Sequence, residues 1–171
     1  MKTLIVYSSL TGNTKKVAQA VASVLPGCDI MPVEEAPASV EGYGLVILGY
    51  WVDKGMPDGR ARTWLAGMEN APLAFFGTLG AWPDSDHAKE CMKKCEAMAL
   101  EPARGNRVYG SWLCQGKIDP RVLEAMANMA GNVHPMTPER RARIEEAAKH
   151  PDDEDCRRAQ EFFLNIMENL K

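Results

Sequence analysis

A chain of 171 residues, 46% apolar and 25% charged, is long enough for a sizeable core, and its ordinary composition argues against a disordered or fibrous protein. Its formal net charge of −3 provides no electrostatic footprint for nucleic acid or for an anionic membrane surface. No apolar run approaches a membrane span and no signal-peptide pattern opens the chain; the five cysteines (28, 91, 95, 114 and 156) form no Cys-x-x-Cys pair and read as reduced thiols of a cytoplasmic protein.

Thr3-Leu4-Ile5-Val6-Tyr7 is an apolar, β-branched run, the pattern of a strand buried on both faces. It passes directly into Ser8-Ser9-Leu10-Thr11-Gly12-Asn13-Thr14 and then into a helix predicted over residues 13–25. Val17, Ala18, Val21, Ala22 and Leu25 make one apolar face of that helix, and Pro26-Gly27 ends it. A strand that breaks through a hydroxyl-rich turn into a helix forms an anion site by geometry. The unpaired N–H groups of the first helical turn and the positive end of the helix dipole point to the same place. Ser9, Thr11 and Thr14 add hydroxyl donors, and Gly12 permits close backbone approach. The absence of Gly-Lys-Ser/Thr excludes the ATP/GTP loop, and a single glycine excludes G-x-G-x-x-G.

Residues 28–33 read as a short second strand and residues 34–42 as a polar connector. Leu45-Val46-Ile47-Leu48-Gly49-Tyr50-Trp51 is a near-continuous apolar strand suited to a central position. A loop over residues 52–59 leads to a helix whose inward face is Ala61, Trp64, Leu65 and Met68. Leu73-Ala74-Phe75-Phe76-Gly77 is the fourth strand, followed by a loop over residues 78–86 and a helix facing inward with Ala88, Cys91, Met92, Cys95 and Ala99. The fifth strand covers residues 107–114. Gln115-Gly116-Lys117 separates it from a helix at about 120–130 that carries Val122, Leu123, Met126 and Ala127.

Residues 131–136 read as a break. Thr137-Pro138 caps a helix reaching about residue 149, and His150-Pro151 stops it. A last helix opens on Asp152, Asp153, Glu154 and Asp155, with Cys156, Ala159, Phe163, Ile166, Met167 and Leu170 as its apolar face. That last helix is expected to cover the sheet after the fifth strand. Five alternations of strand and helix give an α/β fold. The prediction is a doubly wound five-stranded parallel sheet, order 2-1-3-4-5, with extra C-terminal helices. The expected organisation is a single domain over 1–171, with the sheet core in 1–130 and the added helices in 137–171. Ligands of such sheets bind at the carboxyl ends of the strands, beside the switch point between strands one and three.

Ser9-Leu10-Thr11-Gly12-Asn13-Thr14 resembles the flavodoxin phosphate loop, Ser/Thr-x-Thr-Gly-x-Thr, and the resemblance extends over roughly residues 1–130. It implies non-covalent binding of flavin mononucleotide (FMN), with the phosphate held by Ser8, Ser9, Leu10, Thr11, Gly12, Asn13 and Thr14. It also implies flavin-ring contacts from the loop after strand three (Tyr50, Trp51, Val52, Asp53, Lys54, Gly55) and from the loop after strand four (Thr78, Leu79, Gly80, Ala81, Trp82). Trp51, or Tyr50, and Trp82 are the candidates for flanking the ring. Both ring loops depart from the Thr-Trp-Gly-Asp and Gly-Asp-Ser-x-Tyr turns of many electron carriers. Together with the helical tail, they are similar to a subgroup of flavodoxin-like partners of bilirubin-reducing enzymes. The short passage from strand five to its helix matches short-chain flavodoxins.

The implied function is electron transfer between protein redox partners, a reductase and an acceptor. The alternative is an FMN-dependent reductase or oxidase acting directly on a quinone or tetrapyrrole. A binding module whose flavin site is lost is a third reading. Cys91 and Cys95 read as small buried hydrophobes, Lys15 and Lys16 as solvated, and Arg140, Arg141 and Arg143 as one side of a charge-balanced helix face. Three histidines without clustered acids give no expectation of a metal site. His87, just after the second ring loop, reads as an exposed first-turn residue or as a proton donor near the ring.

Overall fold

The computed structural model describes residues 1–128 and 135–170. The predicted break over residues 131–136 lies mostly outside them, as do His134 and the last residues assigned to the preceding helix. Strand β1 (Thr3–Tyr7) leads into α1 (Asn13–Val24), followed by β2 (Asp29–Pro32) and β3 (Leu45–Asp53). A two-residue strand β4 (Met56–Pro57) then precedes α2 (Gly59–Ala66), β5 (Pro72–Leu79), α3 (Asp86–Ala99), β6 (Arg107–Gln115) and α4 (Pro120–Ala127). The tail contains α5 (Pro138–Ala147) and α6 (Asp153–Asn169). The parallel order is β2-β1-β3-β5-β6, so the predicted 2-1-3-4-5 order holds, with β5 and β6 as its fourth and fifth strands.

β1 sits second in the sheet and is paired on both sides, with Ile5 opposite Ile30 of β2 and Ile47 of β3. Strand alternation divides its side chains between two cores. Leu4, Val6, Val46, Leu48, Tyr50, Leu73 and Phe75 face α2 and α3, among buried Leu65, Ala88 and Cys95. Ile5, Ile47, Ala74 and Phe76 face α1 and α6, among Val17, Val21, Ala159 and Phe163. The Phe76 and Phe163 rings meet edge to face with centroids 6.1 Å apart, and Phe162 meets Phe163 at 5.1 Å. Burying a phenylalanine this completely contributes about 2–3 kcal/mol, so α6 is held chiefly by Phe163 and its neighbours. Gly49 makes room for this packing, because a Cβ there would lie 2.1 Å from Phe76 Cζ.

Two elements differ from expectation. β3 runs on to Asp53 and turns back through Lys54 and Gly55, both at positive φ (50° and 78°), so that Val52 and Asp53 pair with Pro57 and Met56. The predicted open loop over residues 52–59 is therefore a tight hairpin running into α2. The apolar face assigned to α4 is not a core face either: none of its residues is fully buried, and Val122 and Ala127 are exposed. The five cysteines are all free thiols. Among the described residues, no helix is long and apolar enough to cross a membrane.

Candidate functional site

The turn between β1 and α1 gathers polar groups at the carboxyl edge of the sheet. Gly12, at φ 97°, lets the chain reverse sharply into the helix. Ser9 Oγ accepts from the backbone N–H of Gly12 at 3.1 Å and of Lys15 at 3.3 Å, so first-turn donors converge on a hydroxyl at the mouth of the loop. Thr14 reaches inward instead, and its buried Oγ1 shares a 3.0 Å hydrogen bond with Thr78 Oγ1 at the end of β5. That bond ties the turn to the end of β5. Ser8 is also buried and donates to Asp58 Oδ1 at 2.7 Å, which fixes the turn to the N-cap of α2.

Around this turn lies a narrow, partly open cleft at the carboxyl ends of the strands. Ser9, Leu10, Thr11, Asn13 and Thr14 line it from the first loop, Trp51 and Val52 from β3, and Thr78, Leu79 and Gly80 from the end of β5. The remaining wall was not anticipated. Gly116, Lys117, Ile118 and Asp119 after β6, with Val122 of α4, close the far side. Asn13 Nδ2 donates to the Lys117 carbonyl at 2.9 Å, and a Cβ at Gly116 would fall 2.8 Å from that same amide nitrogen. The segment after β6 therefore packs directly against the phosphate-type loop. Asp119 caps α4 and is paired with Arg121; that side-chain hydrogen bond, helped by the Arg121 backbone N–H, holds its carboxyl below the usual range. The sequence signal that would have exposed this wall is the strand-end rule itself, since β6 ends on the same edge as β1, β3 and β5.

Other predicted site residues lie elsewhere. Tyr50 points into the core beneath the cleft, where burial and the neighbouring Cys95 thiol push its phenol well above the ordinary tyrosine range. Burial likewise pushes Cys95 up to about 12, in keeping with an inert packed thiol. Trp82 is 44% exposed and outside the cleft lining; its carbonyl accepts from Ser85, the N-cap of α3. Ser8, Gly12 and Ala81 do not line the cleft. Asp53, Lys54 and Gly55 form the hairpin tip, where a Cβ on Gly55 would lie 3.7 Å from His87 Cε1 and 3.9 Å from Lys94 Nζ. His87 is thus beside the hairpin, with Cys91 Sγ 3.7 Å from its Nε2.

A second polar cluster braces the cleft from behind. The corner between α5 and α6 passes through a cis His150–Pro151 peptide. The His150 carbonyl accepts from the Lys117 N–H at 2.9 Å, and the Pro151 carbonyl accepts from Lys16 Nζ at 2.7 Å, so Lys16 is bonded rather than simply solvated. His150 Nδ1 lies 2.5 Å from Asp155 Oδ2 and its Nε2 3.4 Å from Glu146 Oε1. Burial lowers the imidazole pKa, but Asp155, Glu146 and Asp152 outweigh it and hold the group above its ordinary 6.5. His150, Asp152 and Asp155 offer three ligand-type atoms within 4.8 Å of one another. Their contacts, however, are those of an α6 capping box with a histidine joined to it.

Parallel sheet, phosphate-type loop and strand-end cleft agree with a match of residues 4–164 to the flavodoxin domain family. The chain belongs to that family. The chain is 35% identical to the flavodoxin-like domain-containing protein BilS of Clostridioides difficile (strain CD3), over 98% of this chain and 97% of that protein. Among solved structures, oxidised flavodoxin 2 from Bacillus cereus superposes with a TM-score of 0.65 at 19% identity, over 99% of both chains. A flavoprotein from Lactobacillus acidophilus, solved in complex with FMN, gives 0.51 at 22% identity, over 66% of this chain and 92% of its own. These likenesses give the family's fold across the whole of the described chain.

Proposed function

We propose that the chain binds FMN non-covalently in the strand-end cleft and carries electrons between protein redox partners, a reductase and an acceptor. The observation that carries this reading is the convergence of first-turn N–H groups on Ser9 Oγ, at the mouth of a cleft whose other walls are Trp51, Val52, Leu79 and Ile118. A nucleotide with a phosphate tail and a flat apolar ring fits that donor set and those walls. Ser9, Thr11 and the amides before Lys15 would hold the phosphate. Trp51, Leu79, Gly80 and Ile118 would enclose the ring, and the Thr14–Thr78 bond would keep the two loops in register. The bound flavin would supply the one- and two-electron chemistry, and these residues would set its orientation, its exclusion from water and its exposed edge.

The test is a titration of FMN into purified protein, followed by visible absorbance and flavin fluorescence. The expected result is saturable 1:1 binding with a red-shifted, structured flavin band; a spectrum identical to free FMN overturns the reading. A second reading, direct reduction of a quinone or tetrapyrrole, is favoured by an open groove beside Trp51, outside the cleft. Turnover by the protein alone with NAD(P)H and such an acceptor would support it, whereas a carrier turns over only with a second protein.

A further inference from the structure

Ile118 is seated on the main chain of Gly80. A Cβ at Gly80 would lie 2.4 Å from both Cγ1 and Cδ1 of Ile118, so the isoleucine fills the space that a side chain at position 80 would need. The Gly80 backbone lies outside the positive-φ region. Its missing side chain therefore serves the close approach rather than the turn. Both residues line the strand-end cleft, Gly80 just beyond β5 and Ile118 in the segment after β6.

The segment that carries Ile118 is pinned on either side of it. The Gly116 N–H donates to the Leu79 carbonyl at 2.9 Å. The Lys117 peptide is held twice, its N–H by the His150 carbonyl and its own carbonyl by Asn13 Nδ2, each at 2.9 Å. Beyond Ile118, Asp119 accepts from the Arg121 N–H at 2.8 Å as the cap of α4. Ile118 itself makes no main-chain hydrogen bond among the described residues, and its side chain is half-buried. Apolar contact alone holds it on Gly80, and such a side chain can leave its seat without breaking a hydrogen bond. The cleft needs a movement of this kind. Its cavity volume is about 90 Å³, well short of the roughly 300–1,000 Å³ of pockets that enclose small ligands. The other walls are tied down: Trp51 and Val52 pair with Thr78 and Pro57, Leu79 pairs with Gln115, and the Thr14–Thr78 hydrogen bond joins the first loop to β5. Leu10 and Thr11 already stand exposed at the rim.

We propose that Ile118 is the gate of the flavin site: seated on Gly80 it narrows the cleft, and it leaves that seat to admit the flavin ring against the same bare main chain. The proposal rests on the FMN reading of the cleft and adds the residue that controls entry. Only the fraction of molecules with Ile118 unseated is competent to bind, so the apparent association rate is reduced by that fraction. A residue that merely lined the ring would act on dissociation instead, where most losses of contact are felt.

The test mixes flavin-free protein with FMN in a stopped-flow fluorimeter, where quenching of flavin fluorescence gives the association and dissociation rates separately. Ile118→Val should raise the association rate, and Ile118→Ala should raise it further, to about tenfold over the unaltered protein. An association rate unchanged within about twofold, with only dissociation faster, overturns the gate and leaves Ile118 a wall of the site. A second measurement needs no variant. A nuclear Overhauser contact between the Ile118 δ1 methyl and the Gly80 α-protons is expected in flavin-free protein and should vanish at saturating FMN. Its absence from flavin-free protein, or its persistence at saturation, also overturns the proposal. Failure of FMN to bind the unaltered protein at all, seen as an unshifted flavin band, overturns the FMN reading and the gate together, whereas binding without these signatures overturns the gate alone.

Discussion

At the level of single residues, the cleft depends on a few atoms with no substitutes. Gly12 has no neighbour within 4 Å of where a Cβ would stand, so Gly12→Ala meets only its own backbone strain at φ 97°. That strain should cost about 1 kcal/mol of stability in urea denaturation. The loop can relieve part of it by shifting, so FMN affinity should fall by about tenfold in the same titration that tests binding. The hydroxyl-rich loop was legible because its chemistry is written in consecutive residues. The different placements of Trp51 and Trp82 were not. Trp51 and Trp82 look alike as tryptophans at strand ends, yet one lines the cleft and the other stands 44% exposed beside a helix cap. Side-chain direction at a strand end is decided by how the following turn bends, and that bend is made by Lys54 and Gly55 after β3 and by Ser85 after β5.

Among elements, the sheet order was readable because β1 and β3 are continuous apolar runs, the mark of strands covered on both faces. The hairpin between β3 and β4 was hidden, since Lys-Gly is a weaker turn signal than Asn-Gly or Asp-Gly and a two-residue strand has no period to detect. The wall of residues 116–119 was hidden for a similar reason: it is short and carries none of the hydroxyl or aromatic enrichment that marked the other loops. α6 was visible through the spacing of Ala159, Phe163 and Ile166, and its packing is testable. Phe163→Ala removes a fully buried ring that meets both Phe76 and Phe162. The expected loss is about 3–5 kcal/mol, seen as a lower urea midpoint. A midpoint unchanged within error would show that α6 is not part of the cooperative core.

Across the whole molecule, the corner at His150 joins three parts that are distant in sequence: the cleft segment through Lys117, α1 through Lys16, and the two tail helices through Glu146 and Asp155. Because folding raises the His150 pKa, the imidazolium binds its proton more tightly in the folded chain. Its contribution to stability is therefore complete below the unfolded value of 6.5 and is lost as pH rises through the higher folded value. The melting temperature of the native chain should fall between about pH 6 and about pH 8 by more than that of His150→Gln. Matching pH profiles for the two proteins would place the proton elsewhere. The position of α6 has a consequence for biosynthesis. Ile5, Ile47, Ala74 and Phe76 share their side of the sheet with a helix translated after every strand has been made. A nascent chain stalled before residue 153 would therefore leave that side of the sheet covered by α1 alone, with Phe76 lacking the Phe163 ring that meets it in the finished fold.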